Sequence, residues 1–205
     1  MKKTIFTLAI ASFLLTACSQ KEPSYVGPAS VDGKRAPITL GIDRGDFEKA
    51  AVKATEDLLR SGALDRKNGG RYVVAIDEII NDTTQRIDTD MLIKKIRIAL
   101  LKSGKAVVTT AIKVGGPEST LTKGVRELRS DSEVKRTSIA KKDSIIAPDM
   151  GLSGKIIQRN ARTYNDKQLV EYYFQLSLTH LESGLAIWED EIVIGKIGSK
   201  DSVSW

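Results

Sequence analysis

Residues Arg71–Thr110 read RYVVAIDEIINDTTQRIDTDMLIKKIRIALLKSGKAVVTT, and this stretch decides the fold. It opens on a β-branched and aromatic run, Tyr72 to Ile76, extending to Ile79 and Ile80. Such residues fit a pleated, half-buried surface, so the run predicts a strand. A polar loop from Asn81 to Arg86 follows. Leu92, Ile96, Ala99 and Leu100 then recur at helical spacing, with Lys94, Lys95 and Arg97 toward water. Asp88, Thr89 or Asp90 caps the free N–H groups of this helix, and the carboxylates suit the positive end of its dipole. Gly104 stands where a left-handed residue ends a helix. Val107–Thr110 is a second β-branched run. The product is a β-loop-α-β unit on which other elements can dock.

Upstream, Phe47, Ala51, Ala54 and Leu58 step by four, three and four, one apolar stripe of a helix running from Asp43 or Asp46 to Arg60. Gly62 is placed to end it. Downstream, Gly115-Gly116-Pro117 breaks the chain. Thr120–Arg129 reads as a helix with Leu121, Val125 and Leu128 on one side, and Asp131–Lys142 as a charged helix or exposed loop. Gly154–Arg162 is a candidate strand, and Asn165-Asp166 a turn. Val170, Tyr172, Phe174, Leu176 and Leu178 then alternate with polar or wet positions, a period of two that marks a strand with one buried face. Ser183-Gly184 turns the chain into a last strand, Ala186–Ile194, with Trp188, Ile192 and Ile194 on one face. The order is α-β-α-β-α followed by a β-meander. That predicts an α/β (α+β) domain, an antiparallel-rich sheet with helices packed on it.

The first residues have a different character. Lys2 and Lys3 precede an apolar run, Ile5–Leu15, too short to span a bilayer comfortably, which ends in Leu15-Thr16-Ala17-Cys18. Small residues followed by Cys resemble a bacterial lipobox, in which the Cys thiol is acylated and the chain is cut before it. Residues 1–17 are then a signal peptide and Cys18 the lipid attachment. Cys18 is the one cysteine, so an intramolecular disulfide is excluded. Acyl chains anchor a protein to a membrane without spanning it. Ser19 follows; in enterobacterial lipoproteins an Asp there favours inner-membrane retention, so the signal resembles an outer-membrane address facing the periplasm. Residues 18–42 form a lipidated N-terminus and flexible linker, since Pro23, Pro28 and Pro37 with Gly27, Gly33 and Gly41 oppose a regular element. Residues 43–205 form the globular domain.

Composition is that of a globular chain, 41% hydrophobic and 28% charged. Loss of residues 1–17 removes Lys2 and Lys3 and no acid, taking the formal net charge from +6 to +4. This is mildly basic, with no basic run interleaved by aromatics, so no nucleic-acid partner is expected.

Catalytic chemistry is not expected either. The single His, His180, lies at a strand end with no paired nucleophile in any motif. One His and one Cys make no His/Cys zinc site. Gly151-Leu152-Ser153-Gly154-Lys155 lacks the length of a phosphate loop and the Ser or Thr after Lys. Asp82, Asp88 and Asp90 could hold a hard cation, but match no EF-hand spacing, and capping accounts for two of them. Ser138-Ile139-Ala140-Lys141 and Ser132-Glu133-Val134-Lys135 fit the Ser-x-x-Lys of penicillin-recognising enzymes, and Lys102-Ser103-Gly104 resembles their Lys-Thr-Gly. The order is reversed, however, and no Ser-x-Asn lies between. No catalytic residue, metal, cofactor or small-molecule substrate is expected.

Asn81 to Asp90, with Leu92, Arg97, Ala99-Leu100 and Ser103-Gly104-Lys105, resembles the LpoB family, lipoprotein activators of class A penicillin-binding proteins. Leu178–Gly184 leading to Ile187-Trp188 resembles that family's final hairpin. The resemblance implies a fold akin to the N-terminal domain of TolB. It also implies a role: an outer-membrane lipoprotein that binds a small accessory domain of a bifunctional peptidoglycan synthase and stimulates it. The linker here is shorter than the long Pro-rich linkers of the best-known members. For the contact surface, the polar loop Asp82, Thr83, Thr84, Gln85 and Arg86 is favoured, because a loop displayed on a rigid frame is a usual place for function. Thr83 and Thr84 could equally serve local backbone groups. Arg126 and Arg129 are further candidates. The competing reading is a structural lipoprotein of another envelope or secretion assembly, related to the curli-secretion lipoproteins. Those chains are longer and carry membrane-spanning hairpins, and no alternating segment here is clearly apolar outward at both hairpin arms.

Overall fold

The computed structural model describes residues 30–31, 34–35, 40–112, 119–162 and 167–199. The chain divides into two compact units, Met1–Ala36 and Pro37–Trp205. In the first, β1 (Ser30–Val31) pairs antiparallel with β2 (Lys34–Arg35). The region expected to lack regular structure therefore holds a short strand pair. Its sequence reason is the intervening Asp32-Gly33, a dipeptide favoured in two-residue hairpins. Cys18 and the Asn165-Asp166 turn lie outside the described residues.

The second unit runs α1 (Arg44–Arg60), β3 (Tyr72–Asp82), α2 (Asp90–Ser103), β4 (Ala106–Val108), α3 (Thr120–Glu127), β5 (Met150–Arg162), β6 (Gln168–His180) and β7 (Leu185–Gly198). This is the expected element order. The sheet order is β4-β3-β5-β6-β7. β3 is parallel to both β4 and β5, and β5, β6 and β7 form an antiparallel meander. Parallel neighbours need a crossover, which α2 supplies between β3 and β4.

Local chemistry sets the helix ends. Asp43 caps α1: its Oδ1 accepts from the N–H of Gly45 and Asp46, while Asp46 Oδ2 accepts from the N–H of Asp43. Two orphan groups are thereby satisfied reciprocally. Thr89 is the N-cap of α2 without a side-chain bond, and Asp88 Oδ1 accepts from the Asp90 N–H at 3.0 Å. Gly104 ends α2 with φ 72°.

α1 and α2 pack on one face of the sheet. The Phe47, Ala51, Ala54 and Leu58 stripe is buried against Leu92, Ile96 and Leu100 of α2 and the alternate residues Val170 to Leu178 of β6. Trp188 of β7 reaches back to α1, its Nε1 donating to Asp57 Oδ2 at 3.0 Å. The opposite face of the meander is solvated: Gln175 bonds Glu191 and Ser177 bonds Glu189, and Val193 and Ile197 are exposed there.

α3 stands where the sequence places a helix, with its last turn tightened and its apolar side uncovered. It is α-helical only to Glu127, continues as a 3-10 turn over Leu128–Ser130, and buries no residue. The charged stretch after it is irregular apart from a 3-10 turn at Arg136–Ser138.

Gly154 is a point of close approach within the sheet. It pairs with Leu176 beside the register shift of β3 between Ile76 and Ile79. A Cβ there would lie 2.6 Å from Leu176 Cδ2 and 2.7 Å from the Gln175 carbonyl oxygen. The second neighbour is backbone held in the ladder and cannot swing away. Gly154→Ala is expected to destabilise the domain by about 1–3 kcal/mol, read as a lower urea midpoint. An unchanged midpoint would show that β5 and β6 can separate without loss.

Candidate functional site

The candidate loop is built from its two roots inward. β3 ends at Asp82, which pairs in register with Ile157 of β5 and whose carboxylate meets Lys155 Nζ at 2.7 Å. Asn81 shapes the turn. Its Oδ1 accepts from the Thr83 N–H and hydroxyl, and its Nδ2 donates to the Gln85 carbonyl at 2.8 Å. Thr83 is thus turned toward its own backbone neighbourhood. Thr84 does something else: its N–H and Oγ1 both donate to Gln158 Oε1 on β5, at 3.1 and 3.0 Å. The loop is tied to the neighbouring strand as well as to itself.

Gln85 points inward. Its Oε1 accepts from the Ile42 N–H at 2.8 Å, and the Tyr172 hydroxyl lies 3.3 Å away. Arg86 is exposed and makes no ion pair or side-chain hydrogen bond among the described residues. Of the five loop candidates, Arg86 is therefore the one whose charge is presented to solvent without a partner among the described residues. Asp82 shares its charge with Lys155, and Gln85 serves the interior.

Behind Gln85 lies a buried polar cluster that sequence reading missed. Lys196 of β7 is only 6% exposed and Asp46 of α1 only 4%. The Lys196 ammonium pairs with Asp46, donates to the Gly41 carbonyl at 2.5 Å, and meets Asp43 Oδ2 at 3.1 Å. The Tyr172 hydroxyl donates to the Leu40 carbonyl at 3.0 Å. Leu40, Gly41 and Ile42, expected to belong to the linker, are thereby fastened to the sheet, with Leu40 buried. Burial pushes the Asp43 carboxyl up, but the Lys196 hydrogen bond and charge and the N–H groups of Asp46 and Gly45 outweigh it, so its pKa lies below the ordinary carboxylate value. Burial, with the Asp46 charge, pushes the Tyr172 phenol up to about 12, so it remains a donor at neutral pH. A signal for Lys196 was present: the period of two through Trp188, Ile192 and Ile194 places residue 196 on the same inward face.

Arg126 and Arg129 stand apart from the loop's bonding network. Arg129 donates from Nε to the Ala140 carbonyl and from a terminal nitrogen to the Lys141 carbonyl, at 2.9 and 2.6 Å, so it stitches the chain after α3. Arg126 lines a shallow depression with Leu121, Val125 and Ile145. An open groove of about 660 Å³ runs beside α2, between Met91, Lys94 and Arg97 on one side and Thr109, Thr110 and Ile112 on the other.

Residues weighed for chemistry have other partners. Ser138 Oγ donates to the Lys135 carbonyl, and Ser103 Oγ to the Leu100 carbonyl, both local turn contacts. His180 Nδ1 lies 2.9 Å from Ser183 Oγ within the β6–β7 turn. Among the described residues no group of three or more His, Cys, Asp or Glu could hold a metal ion.

The sequence pattern described as peptidoglycan-synthase activator LpoB matches residues 46–194. The chain belongs to the LpoB family. Among solved structures, it is similar to the C-terminal domain of LpoB from Salmonella enterica, with 13% identity over 73% of this chain and 98% of that chain, at a TM-score of 0.40. The LpoB C-terminal domain from Escherichia coli gives 13% identity, 74% and 99% coverage, and a TM-score of 0.40. The lipoprotein GNA1162 from Neisseria meningitidis gives 13%, 62% and 83%, and 0.38. A comparison with curated proteins finds no match. The residues that carried the LpoB resemblance have visible structural work here. Asn81 and Thr84 hold the loop, Gly104 ends α2, and Lys105 ties the α2–β4 turn to α1 by donating to the Leu59 carbonyl and pairing with Asp65.

Proposed function

We propose that this LpoB-family chain is a lipid-anchored regulator of peptidoglycan synthesis. Held at the outer membrane through Cys18 and facing the periplasm, it binds the accessory domain of a class A penicillin-binding protein and stimulates it, with no catalysis of its own. The observation that carries this reading is the family match, which extends from the first turn of α1 into β7. A family of synthase activators supports a partner of that kind. Binding can activate only by favouring the active conformation of the synthase over the inactive one.

The contact surface in this proposal is the loop Asp82, Thr83, Thr84, Gln85 and Arg86, with Arg126 and Arg129 as the second surface. Its support is geometric. The loop is fixed to β5 through Thr84 and to the interior through Gln85, so Arg86 is displayed from a preorganised frame. A rigid donor loses little conformational entropy on binding. The test is glycan-strand synthesis by the organism's own class A penicillin-binding protein, with soluble protein starting at Ser19 and with its Arg86→Glu variant. Stimulation by the wild type and its loss on charge reversal are expected. Stimulation that survives Arg86→Glu moves the surface elsewhere. Neither stimulation nor binding by the wild type would refute the activator reading for that partner.

A further inference from the structure

α3 and the chain after it carry an apolar surface that nothing in the described fold covers. Leu121, Val125 and Leu128 lie on one side of α3 and its 3-10 extension, at helical spacing. Leu121 is 80% exposed, and Ile146 is 71% exposed. Leu121, Val125 and Ile145 line one shallow depression, so α3 and the later loop form a single surface. A core-packing helix would bury this stripe; here the helix buries no residue.

Charge is concentrated on the same segment. Between Ser119 and Pro148 stand seven Lys or Arg against four Asp or Glu, a net +3, whereas the rest of the chain from Cys18 onward nets +1. Lys135, Lys141 and Lys142 are exposed, and their ammonium groups have no acidic partner among the described residues. Exposed aliphatic side chains on a segment that also carries unpaired cations have the composition of a surface that lies in a membrane interface. The apolar groups enter the acyl boundary while the cations meet anionic headgroups. A protein partner would be expected to bring specific acids against specific cations. Arg129 already donates to the Ala140 and Lys141 carbonyls of its own chain.

We infer that this face, centred on Leu121, Val125, Ile145 and Ile146, docks on an anionic phospholipid surface. The inference does not involve the loop at Arg86, but it competes with the activator reading for the second surface, since Arg126 lines the same depression. Docking would orient the domain at a membrane, a different task from the tethering expected of an acyl chain.

The test is flotation of the polypeptide from residue 18 onward carrying Cys18→Ser, which can hold no acyl chain. The vesicles are phosphatidylglycerol–phosphatidylethanolamine, or phosphatidylcholine alone. Flotation with the anionic vesicles only is expected. Lys141→Glu/Lys142→Glu should weaken it by about tenfold or more. Leu121→Asp/Ile146→Asp should abolish it with an unchanged melting temperature, since both side chains are already exposed. Failure of the wild type to float overturns the inference, as does flotation of the Leu121→Asp/Ile146→Asp protein at wild-type level. If that variant keeps vesicle binding but loses stimulation of the synthase, the face belongs to a protein partner and the lipid assignment is wrong. Wild-type flotation without any synthase stimulation supports the lipid face while removing the activator reading.

Discussion

Lys196→Met is expected to lower the unfolding free energy by about 3 kcal/mol. Lys196 and Asp46 are both buried, and the ammonium also serves the Gly41 carbonyl and Asp43. Methionine fills similar space but leaves Asp46 charged in a dry site. The loss sits at the low end of the range for a broken buried pair, because Asp46 still accepts from the Asp43 N–H at 2.8 Å and lies in the positive first turn of α1. For a domain of this size about 3 kcal/mol corresponds to a fall of about 6–12 °C in melting temperature. Lys196→Met/Asp46→Asn should recover most of the loss, because removing both charges leaves none uncompensated. The effect should also depend on pH. Asp43 has its folded pKa held below the ordinary value of 3.8, so its contribution is complete above that value and is lost as pH falls through the depressed one. The penalty of Lys196→Met should therefore shrink in strong acid. Urea titrations of the three proteins across that range measure both quantities. A penalty under 1 kcal/mol at neutral pH would mean that water reaches Asp46 readily.

The same cluster explains what was legible in the sequence and what was not. Periodicity reports which way a side chain points. The four-three-four spacing of Phe47, Ala51, Ala54 and Leu58, and the alternation from Val170 to Leu178, were readable because apolar residues on those faces are also the buried ones. Lys196 occupies an equivalent inward position, but a lysine near a strand end reads as the place where the strand meets water. Its burial depends on Asp46, distant in sequence, and no local pattern states that pairing. Gln85 is hidden for a similar reason: in a loop of polar residues nothing distinguishes the amide that turns inward to Ile42 from the guanidinium of Arg86 that does not. α3 shows the converse. Leu121, Val125 and Leu128 have a helical spacing as good as that of α1, yet stay exposed, since spacing cannot say whether a second layer exists to cover the stripe. The candidate loop was found by its polarity between two regular elements, while its stiffness comes from Gln158, a residue on β5 that only the register brings beside Thr84.

Phe174→Ala is expected to give the largest loss, about 4 kcal/mol, or a fall of about 8–16 °C in melting temperature. Phe174 is fully enclosed in the middle of β6, between Ile156 of β5 and Ile192 of β7, which are buried on the same face. Its ring meets Phe47 of α1 edge-on, with centroids 6.2 Å apart and planes at 79°. Truncation removes transfer free energy and leaves a cavity that the hydrogen-bonded ladders on both sides keep from collapsing. Phe47→Ala should cost somewhat less, because Phe47 sits on a helix that can shift toward the sheet. The double variant separates area from geometry. If the edge-on arrangement contributes beyond burial, the two losses should fall short of additivity by about 1 kcal/mol. Strict additivity would mean that the rings merely fill space. The consequence for function follows from register. Ile156, the β5 partner of Phe174, pairs on its other side with Asn81, the residue that shapes the candidate loop. A cavity at Phe174 lies one strand from the loop's root, whereas one at Phe47 lies in the helical layer. If the loop is the proposed synthase contact, Phe174→Ala at equal fractions folded should weaken stimulation more than Phe47→Ala, and equal stimulation would show that the loop is held by its own bonds to Asn81 and Gln158.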